Sequence, residues 1–265
     1  MGTIVSIDVR TPLEPEGLER AFAAAAAVLH DADETFSTYR ADSWVCRIAR
    51  GEATLEQAPA QVREVYALAE DCRLRTGGAF DPAWRADGTL DPTGLVKGWA
   101  ADRASSALCA VGAPDHCVNA AGDLRVRGAS AAGQPWRVGI ADPLEPTRLV
   151  AVVEGRELAV ATSGLAHQSD HVVDPRTGRS SAVLASVTVV GPDLALADAY
   201  ATAGLAAGPD AETLLADLAR DGWSWLVVEA GGAIRHSPTF PGRVASAATV
   251  GPTAFPGQEP VATRP

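Results

Sequence analysis

From residue 116 onward the sequence breaks into short apolar segments separated by Gly, Pro and Asp. Segments of this length and composition are typical of β-strands joined by tight turns. The connections are too short for the helical crossovers that parallel strands need, so neighbouring strands are predicted to be antiparallel. The predicted strands of this series cover residues 117–119, 124–127, 136–140, 149–154 and 158–162.

Helical segments lie on both sides of this series. Apolar periodicity and the positions of Pro and Gly predict helices at 14–37, 59–75, 97–111, 193–207 and 210–220. Further strands are predicted at 2–10, 183–190 and 223–229. Helices and strands do not alternate as in βαβ units. This favours an α+β fold with antiparallel or mixed sheets and packed helices.

The length of 265 residues suits one large domain. We predict that residues 1–236 form this domain. The segment 237–265 is rich in Pro, Gly, Ala and Thr and has little apolar periodicity. Such a segment buries too little apolar surface to order itself, so a disordered C-terminal tail is predicted.

The charge balance and the N-terminal residues exclude several classes of protein. Acidic residues outnumber basic ones by 33 to 22, giving a formal net charge of −11, which disfavours nucleic-acid binding. No apolar run is long enough for a membrane span. Apolar and polar residues alternate over the first ten positions as in a β-strand, and the features of a signal peptide are missing, so a cytoplasmic protein is expected.

The four cysteines lack C-x-x-C spacing and are predicted to be core residues.

Asp198 and Thr202 are one helical turn apart within the predicted helix 193–207, so their side chains share one face. A carboxylate and a hydroxyl are the hard oxygen ligands that Mg²⁺ takes, with water and phosphate completing its coordination. The spacing equally fits a solvated Asp and a Thr at the edge of the core. Spacing alone therefore leaves both interpretations open.

Gly94 and Lys97 follow Asp91 at or just before the start of the predicted helix 97–111. Glycine permits close approach of the backbone, and N–H groups at a helix N-terminus favour anions. Lys97 is the only lysine of the chain and would add a positive charge toward a phosphate. The spacing of a P-loop is absent, and an ordinary loop before a helix is the alternative interpretation.

Three further segments carry candidate polar residues. Asn119 to Asp123 follows a predicted strand and is either a turn or a contact to a ribose or a flavin edge. His171 precedes the segment 174–178, whose composition predicts a tight turn. A lone histidine is more often structural, but beside a phosphate and a metal it would suit a general base. Thr162-Ser-Gly164 lacks the G-x-S-x-G pattern, which disfavours a serine hydrolase.

Eight short motifs follow one another along the chain: Met1-Gly-Thr, Phe36-Ser-Thr-Tyr39 with Ser43, Gly78-Ala-Phe-Asp81-Pro, Asp91-x-x-Gly94-x-x-Lys97-Gly98, Asn119-Ala-Ala-Gly-Asp123, Ala161-Thr-Ser-Gly164, His171-x-x-Asp174-Pro-x-Thr-Gly178 and Asp198-x-x-x-Thr202. In this order they resemble the ApbE-like FAD:protein FMN transferases, over about residues 1–208. Each motif alone is weak, but their conjunction is specific.

The resemblance implies an α+β fold related to tandem T-fold units and an enzyme that uses Mg²⁺. Such an enzyme transfers FMN from FAD to a Thr or Ser hydroxyl of a target protein and releases AMP. His171 would be the base for the incoming hydroxyl, and the Gly94 carbonyl, Asp198 and Thr202 would hold magnesium. The residues implied in binding FAD are Met1, Tyr39, Ala79, Phe80, Asp81, Asp91, Lys97 and Val172, and we add Asn119 and Asp123 as further candidates.

The resemblance also implies an acceptor protein with an Asp-x-x-Ser/Thr-Gly-Ala-Ser/Thr motif. This chain contains no such motif, so we predict that it donates flavin rather than receives it. Two departures stand out: the segment between Asp81 and Asp91 is shorter than in typical members, and Ala201 replaces a carboxylate found in some of them. One magnesium is therefore expected rather than two.

Two other functions use the same residues. The first is a Mg²⁺-dependent FAD pyrophosphatase that releases FMN and AMP with water as the nucleophile. The second is a non-catalytic FAD-binding protein.

Overall fold

The structure is a computed structural model that describes residues 3–85, 89–164, 172–180, 182–219 and 221–244. Within these ranges the α-helices are α1 (Pro15–Phe36), α2 (Trp44–Ala49), α3 (Ala60–Arg75), α4 (Thr93–Ala110), α5 (Leu194–Ala207) and α6 (Ala211–Ala219). Five of them match predicted helices. The exception, α2, is a short helix that begins after Ser43, whose hydroxyl accepts a hydrogen bond from the Cys46 N–H at 3.1 Å.

The helix α4 begins at Thr93 rather than at the predicted residue 97. The reason lies in Asp91, whose side chain accepts hydrogen bonds from the Thr93 N–H at 3.1 Å and from its hydroxyl at 2.6 Å. Backbone groups at a helix start need such partners. Gly94 and Lys97 consequently lie inside the first turns of a helix and not in a loop before it.

The described strands are β1 (Val5–Val9), β2 (His116–Ala120), β3 (Asp123–Arg127), β4 (Trp136–Ala141), β5 (Leu149–Gly155), β6 (Glu157–Gly164), β7 (Val173–Asp174), β8 (Arg179–Ser180), β9 (Leu184–Gly191), β10 (Ser224–Glu229), β11 (Ile234–His236) and β12 (Gly242–Val244). They form a seven-stranded sheet in the order β1-β2-β3-β6-β9-β10-β11, a three-stranded sheet in the order β12-β5-β4, and the hairpin β7-β8. The described pairings are antiparallel. The predicted α+β class is confirmed.

The seven-stranded sheet lies between two apolar cores. On one face the helices pack against residues such as Val187 and Val227, with Tyr200 of α5 fully buried among them. On the other face Val160 and Leu226 pack against the three-stranded sheet. The interior strand β9, between β6 and β10, is buried over nearly its whole length because both of its faces are covered.

The predicted boundary of the C-terminal tail at residue 237 is wrong. Ser237 is fully buried and exchanges hydrogen bonds with the backbone of Trp225, and β12 pairs with β5. A three-residue strand stabilised by a distant partner leaves no periodic pattern in the sequence, so composition alone could not reveal it. The rest of the predicted tail, residues 245–265, lies outside the described residues.

The start of α5 is tied to the sheet and to α4 by charged side chains. The Asp102 carboxylate of α4 accepts a hydrogen bond from the Leu194 N–H and lies 3.2 Å from the Arg125 guanidinium of β3. Burial raises the pKa of Asp102 to about 6, with the nearby charge of Asp193 adding to the effect and Arg125 opposing it. These contacts fix the first turn of α5.

Gly98 lets α4 and α5 cross closely. A Cβ atom at this position would lie 2.3 Å from the Leu194 carbonyl oxygen, which is backbone and cannot swing away. Only a residue without a side chain fits such an approach.

Among the described helices, none is long and apolar enough to cross a membrane.

The variant Gly98→Ala should separate α4 from α5. We expect its free energy of unfolding to fall by about 1–3 kcal/mol, because the added methyl group overpacks a backbone contact. Urea denaturation would measure the change. The control is Gly17→Ala in α1, where the nearest atom to an added Cβ is 3.5 Å away, and it should be neutral or slightly stabilising. Equal stability of the two variants would contradict the close crossing.

Candidate functional site

A cavity of about 800 Å³ lies where the first turns of α4, the middle of α5 and the end of β6 meet. Residues of the segments 36–39 and 79–85 also line it. Ten of the residues singled out in the sequence line this cavity: Tyr39, Ala79, Phe80, Asp81, Asp91, Gly94, Lys97, Val172, Asp198 and Thr202. Segments far apart in the sequence are therefore brought to one place.

The other predicted site residues are placed differently or lie outside the described residues. Met1 and His171 lie outside the described residues, so their predicted roles stay predictions. The Asp123 carboxylate contacts the Lys97 ammonium group but does not itself line the cavity. The Asn119 side chain accepts a hydrogen bond from the Gly122 N–H at 2.8 Å and so stabilises the turn between β2 and β3, away from the cavity lining.

Lys97 joins two buried carboxylates. Its ammonium group contacts the Asp123 carboxylate directly and lies 3.4 Å from Asp198 Oδ2. The second oxygen of Asp123 accepts a hydrogen bond from the Thr162 N–H at 3.0 Å, and Asp198 Oδ2 accepts one from the Gly98 N–H at 3.4 Å. The only lysine of the chain thus holds together α4, α5 and the β3–β6 pair.

Burial raises the pKa of the Asp198 carboxyl, while the charge of Lys97 and the Gly98 N–H act in the opposite direction. The carboxylate is thus removed from bulk water and depends on nearby positive groups for its charge. Such a side chain gains from any further cation that reaches it from the cavity.

Oxygen atoms suited to a hard cation lie beside this cluster. Asp198 and Thr202 both face the cavity from successive turns of α5, and the Thr202 hydroxyl is 3.2 Å from the Ser163 hydroxyl at the end of β6. Gly94 lines the same wall from α4. Among the described residues, no group of three or more His, Cys, Asp or Glu side chains is placed so that it could hold a metal ion. This donor set fits Mg²⁺, which takes few protein ligands and completes its coordination with water and phosphate.

Aromatic side chains also line the cavity. Phe80 is buried, and Tyr39 is 89% exposed. A Cβ atom at Gly94 would come within 2.9 Å of the Phe80 ring, so the glycine leaves room for that ring. Flat apolar faces of this kind bind the rings of a nucleotide or a flavin.

Trp84 and Arg85 also line the cavity, although sequence reasoning did not identify them. The Arg85 guanidinium lies 4.7 Å from the centre of the Trp84 ring and 2.6 Å from Asp91 Oδ2. Both residues belong to the short segment between Asp81 and Asp91. The signal that could have revealed them is an aromatic residue and an arginine between two predicted site carboxylates.

The turn after His171 has a structural basis in Asp174. Its backbone carbonyl accepts hydrogen bonds from the N–H groups of Thr177 and Gly178, and its side chain binds the Arg176 guanidinium at 2.8 Å. The hydrogen bonds from Arg176 hold the pKa of Asp174 below its usual value. The predicted tight turn is confirmed, and it joins β7 to β8.

The sequence profile of the ApbE family matches residues 1–87 and 84–227. The chain belongs to the ApbE family. It is 37% identical over 129 residues to a FAD:protein FMN transferase of Rhodobacter capsulatus, and 34% identical over 131 residues to one of Escherichia coli. Each match covers 46% of this chain, and it covers 24% and 37% of the respective relative, so only a part of either protein is matched.

Solved structures of ApbE proteins have the same fold. The ApbE protein of Thermotoga maritima superposes with a TM-score of 0.75 at 24% identity, over 90% of this chain and 95% of that one. The flavin transferase ApbE of Vibrio cholerae gives a TM-score of 0.75 at 23% identity, over 91% and 95%. At these identities the likeness establishes the fold alone.

Replacing Lys97 by methionine should leave Asp123 and Asp198 without their shared cation. We expect the free energy of unfolding to fall by about 2–4 kcal/mol at about pH 8, since a buried pair is broken and Lys97 keeps partial exposure. At about pH 5 the loss should be smaller. A carboxyl whose folded-state pKa is raised binds a proton more readily in the folded protein, which stabilises that state as the pH falls.

The double variant Lys97→Met/Asp198→Asn is the matched comparison. It replaces one of the two carboxylates that Lys97→Met leaves without a cation, so it should be more stable than Lys97→Met alone. Urea denaturation at both pH values measures the difference in the free energy of unfolding. The single variant Asp198→Asn completes the cycle. A double variant whose loss of stability equals the sum of the losses of the two single variants would contradict the interaction between these side chains.

Proposed function

We propose that this chain transfers FMN from FAD to a Thr or Ser hydroxyl of an acceptor protein and releases AMP, with Mg²⁺ required. The observation that carries the proposal is the placement of Lys97, Asp198 and Thr202 beside aromatic side chains in one cavity. Its volume of about 800 Å³ is within the range of cofactor sites. Membership of the ApbE family, with relatives named FAD:protein FMN transferase, supports the same reaction.

The charge distribution supports binding of an anionic substrate. The chain is acidic overall, with a formal net charge of −11, and a pyrophosphate would be repelled without local positive groups. Lys97 and Arg85 both line the cavity, and the N-terminal turns of α4 contribute backbone dipoles. Both side chains are paired with carboxylates, Lys97 with Asp123 and Asp198 and Arg85 with Asp91, so Mg²⁺ at Asp198 and Thr202 would supply the net positive charge that the pyrophosphate needs.

Each of the site residues would have a distinct role in the reaction. Asp198 and Thr202, with the Gly94 carbonyl, would hold Mg²⁺, which supplies charge neutralisation at the phosphate oxygens. Tyr39, Phe80 and Trp84 would contact the rings of FAD, and Lys97 would face the pyrophosphate. His171 would accept the proton of the acceptor hydroxyl as its oxygen forms a bond to the FMN phosphorus. The bond from that phosphorus to the AMP oxygen breaks, and AMP leaves.

Intact-mass spectrometry tests the proposal. The protein is incubated with FAD, Mg²⁺ and an acceptor protein that carries an Asp-x-x-Thr-Gly-Ala-Thr segment. The acceptor should gain the mass of FMN less one water, AMP should appear in equal amount, and chelation of Mg²⁺ should stop both. Release of FMN and AMP without an adduct would indicate a pyrophosphatase instead. Bound FAD that stays intact under all conditions would indicate a binding protein.

The variant Asp198→Asn tests the metal assignment. We expect the rate of transfer to fall about 100-fold at low Mg²⁺ and to recover partly when Mg²⁺ is raised, because the neutral amide is a weaker ligand of the same shape. The control is Asp221→Asn, which changes an exposed aspartate outside the cavity lining. An Asp198→Asn protein with the unaltered rate and the unaltered Mg²⁺ dependence would remove Asp198 from the metal site.

A further inference from the structure

The strand β1 is an edge of the seven-stranded sheet. It pairs with β2 on one side, and no described residue pairs with its other side. An open apolar edge can bind other chains in an uncontrolled way, and proteins commonly cover such an edge or use it for binding. Here the edge is short, with five residues, and it lies close to the cavity described above.

The hydrogen bonds of β1 determine which backbone groups face the open side. The Ala121 N–H donates to the Ile4 carbonyl at 3.2 Å, and the Arg10 N–H donates to the Asp115 carbonyl at 2.7 Å. In an antiparallel pair only alternate residues bond to the partner strand. Even-numbered residues from 4 to 10 therefore bond toward β2, and Val5, Ile7 and Val9 direct their N–H and C=O groups away from it.

Apolar side chains on one face of α1 lie next to this edge. A groove of about 660 Å³ lies between the strand and the helix. Its apolar lining consists of Ile4, Val5, Ile7, Phe22, Ala26 and Leu29, and the polar residues Thr3, His30 and Asp33 complete it. Phe22 is 39% exposed there, although large aromatic side chains are usually well buried. The groove therefore offers free backbone groups along one wall and apolar side chains along its floor. These are the two features that bind an added β-strand.

The groove adjoins the cavity that Lys97 lines. Thr3 lines both of them. Ile4 is hydrogen-bonded to Ala121, which lines the cavity, and two residues further Asp123 contacts Lys97. The N-terminal end of β1 thus lies next to the cavity, and a peptide that follows this strand would reach the cavity at that end.

We propose that an extended segment of the acceptor polypeptide binds along the open edge of β1 as an additional strand. Its backbone would bond to Val5, Ile7 and Val9, and its alternate side chains would fill the groove over Phe22 and Leu29. One end of the segment would carry the acceptor hydroxyl past Thr3 into the cavity. The inference rests on the proposed function, because it assigns a docking surface to the acceptor of that reaction.

Hydrogen exchange of the backbone amides gives a direct test on the unaltered chain of 265 residues. The probe is the acceptor protein described above with its acceptor Thr replaced by Val, so that the FAD-loaded complex is not consumed. The amides of Val5, Ile7 and Val9 should exchange quickly in the free protein and about tenfold more slowly with the acceptor. The amides of Ser6 and Asp8 should be protected in both states, because they face β2.

Three exchange results would overturn the inference. Unchanged exchange at Val5, Ile7 and Val9 with saturating acceptor would show that the acceptor binds elsewhere. Protection already present in the free protein at every concentration would show that the chain itself covers this edge. Protection that grows with protein concentration alone would assign the edge to a second copy.

Two variants test the same surface kinetically. Ile7→Pro removes a donor that faces the open side and leaves the bonds to β2 intact, and Phe22→Glu places a charge in the groove. Each should raise the KM for the acceptor about tenfold, whereas the Kd for FAD should stay within about twofold of the unaltered value. Leu74→Glu is the control, because Leu74 is an exposed apolar residue of α3 outside the groove and the cavity.

The kinetic results separate this inference from the proposed function. Transfer by the unaltered protein together with an unaltered acceptor KM in both variants would overturn the docking surface only. Absence of any FMN transfer by the unaltered protein would overturn the proposed function, and the docking surface would fall with it. Equal effects of Leu74→Glu and Phe22→Glu would also count against the groove.

Discussion

The close crossing of α4 and α5 at Gly98 is the contact on which the geometry of the site depends. The backbone of α5 at Leu194 lies where a side chain at residue 98 would otherwise be. This approach puts Lys97 of one helix within 3.4 Å of Asp198 of the other. The Asp102 carboxylate holds the first turn of α5 in place through the Leu194 N–H, with Arg125 linking it to the sheet.

The electrostatics of the site follow from that crossing. Two buried carboxylates share one lysine, so the cluster carries more negative than positive charge in a region shielded from water. Burial raises the pKa of Asp198, which means that the ionised form needs cations nearby. A divalent cation between Asp198 and a substrate phosphate would complete this balance. In that way an acidic protein would bind an anionic dinucleotide with local charges rather than with its overall charge.

Much of the fold was predictable from the sequence, because helices and strands of ordinary length leave periodic patterns. The spacing of Asp198 and Thr202 placed both on one face of α5, and the structure puts that face at the cavity. The helix α2, the strand β12 and the positions of Trp84 and Arg85 were not predictable in this way. The strand β12 depends on β5, a partner distant in sequence. The helix α2 and Arg85 depend instead on local side-chain contacts, to Ser43 and to Asp91, which leave no apolar periodicity in the sequence. His171 and Met1 lie outside the described residues, so their roles still rest on the family resemblance.

The position of the metal in a crystal structure with FAD and Mn²⁺, a substitute for Mg²⁺ with an anomalous signal, tests the central claim most directly. The account predicts one metal ion about 2.0–2.2 Å from oxygens of Asp198 and Thr202 and from a phosphate oxygen of FAD, with the flavin or adenine ring against the aromatic side chains that line the cavity. FAD bound in the cavity with no metal at Asp198, or bound elsewhere on the protein, would contradict it.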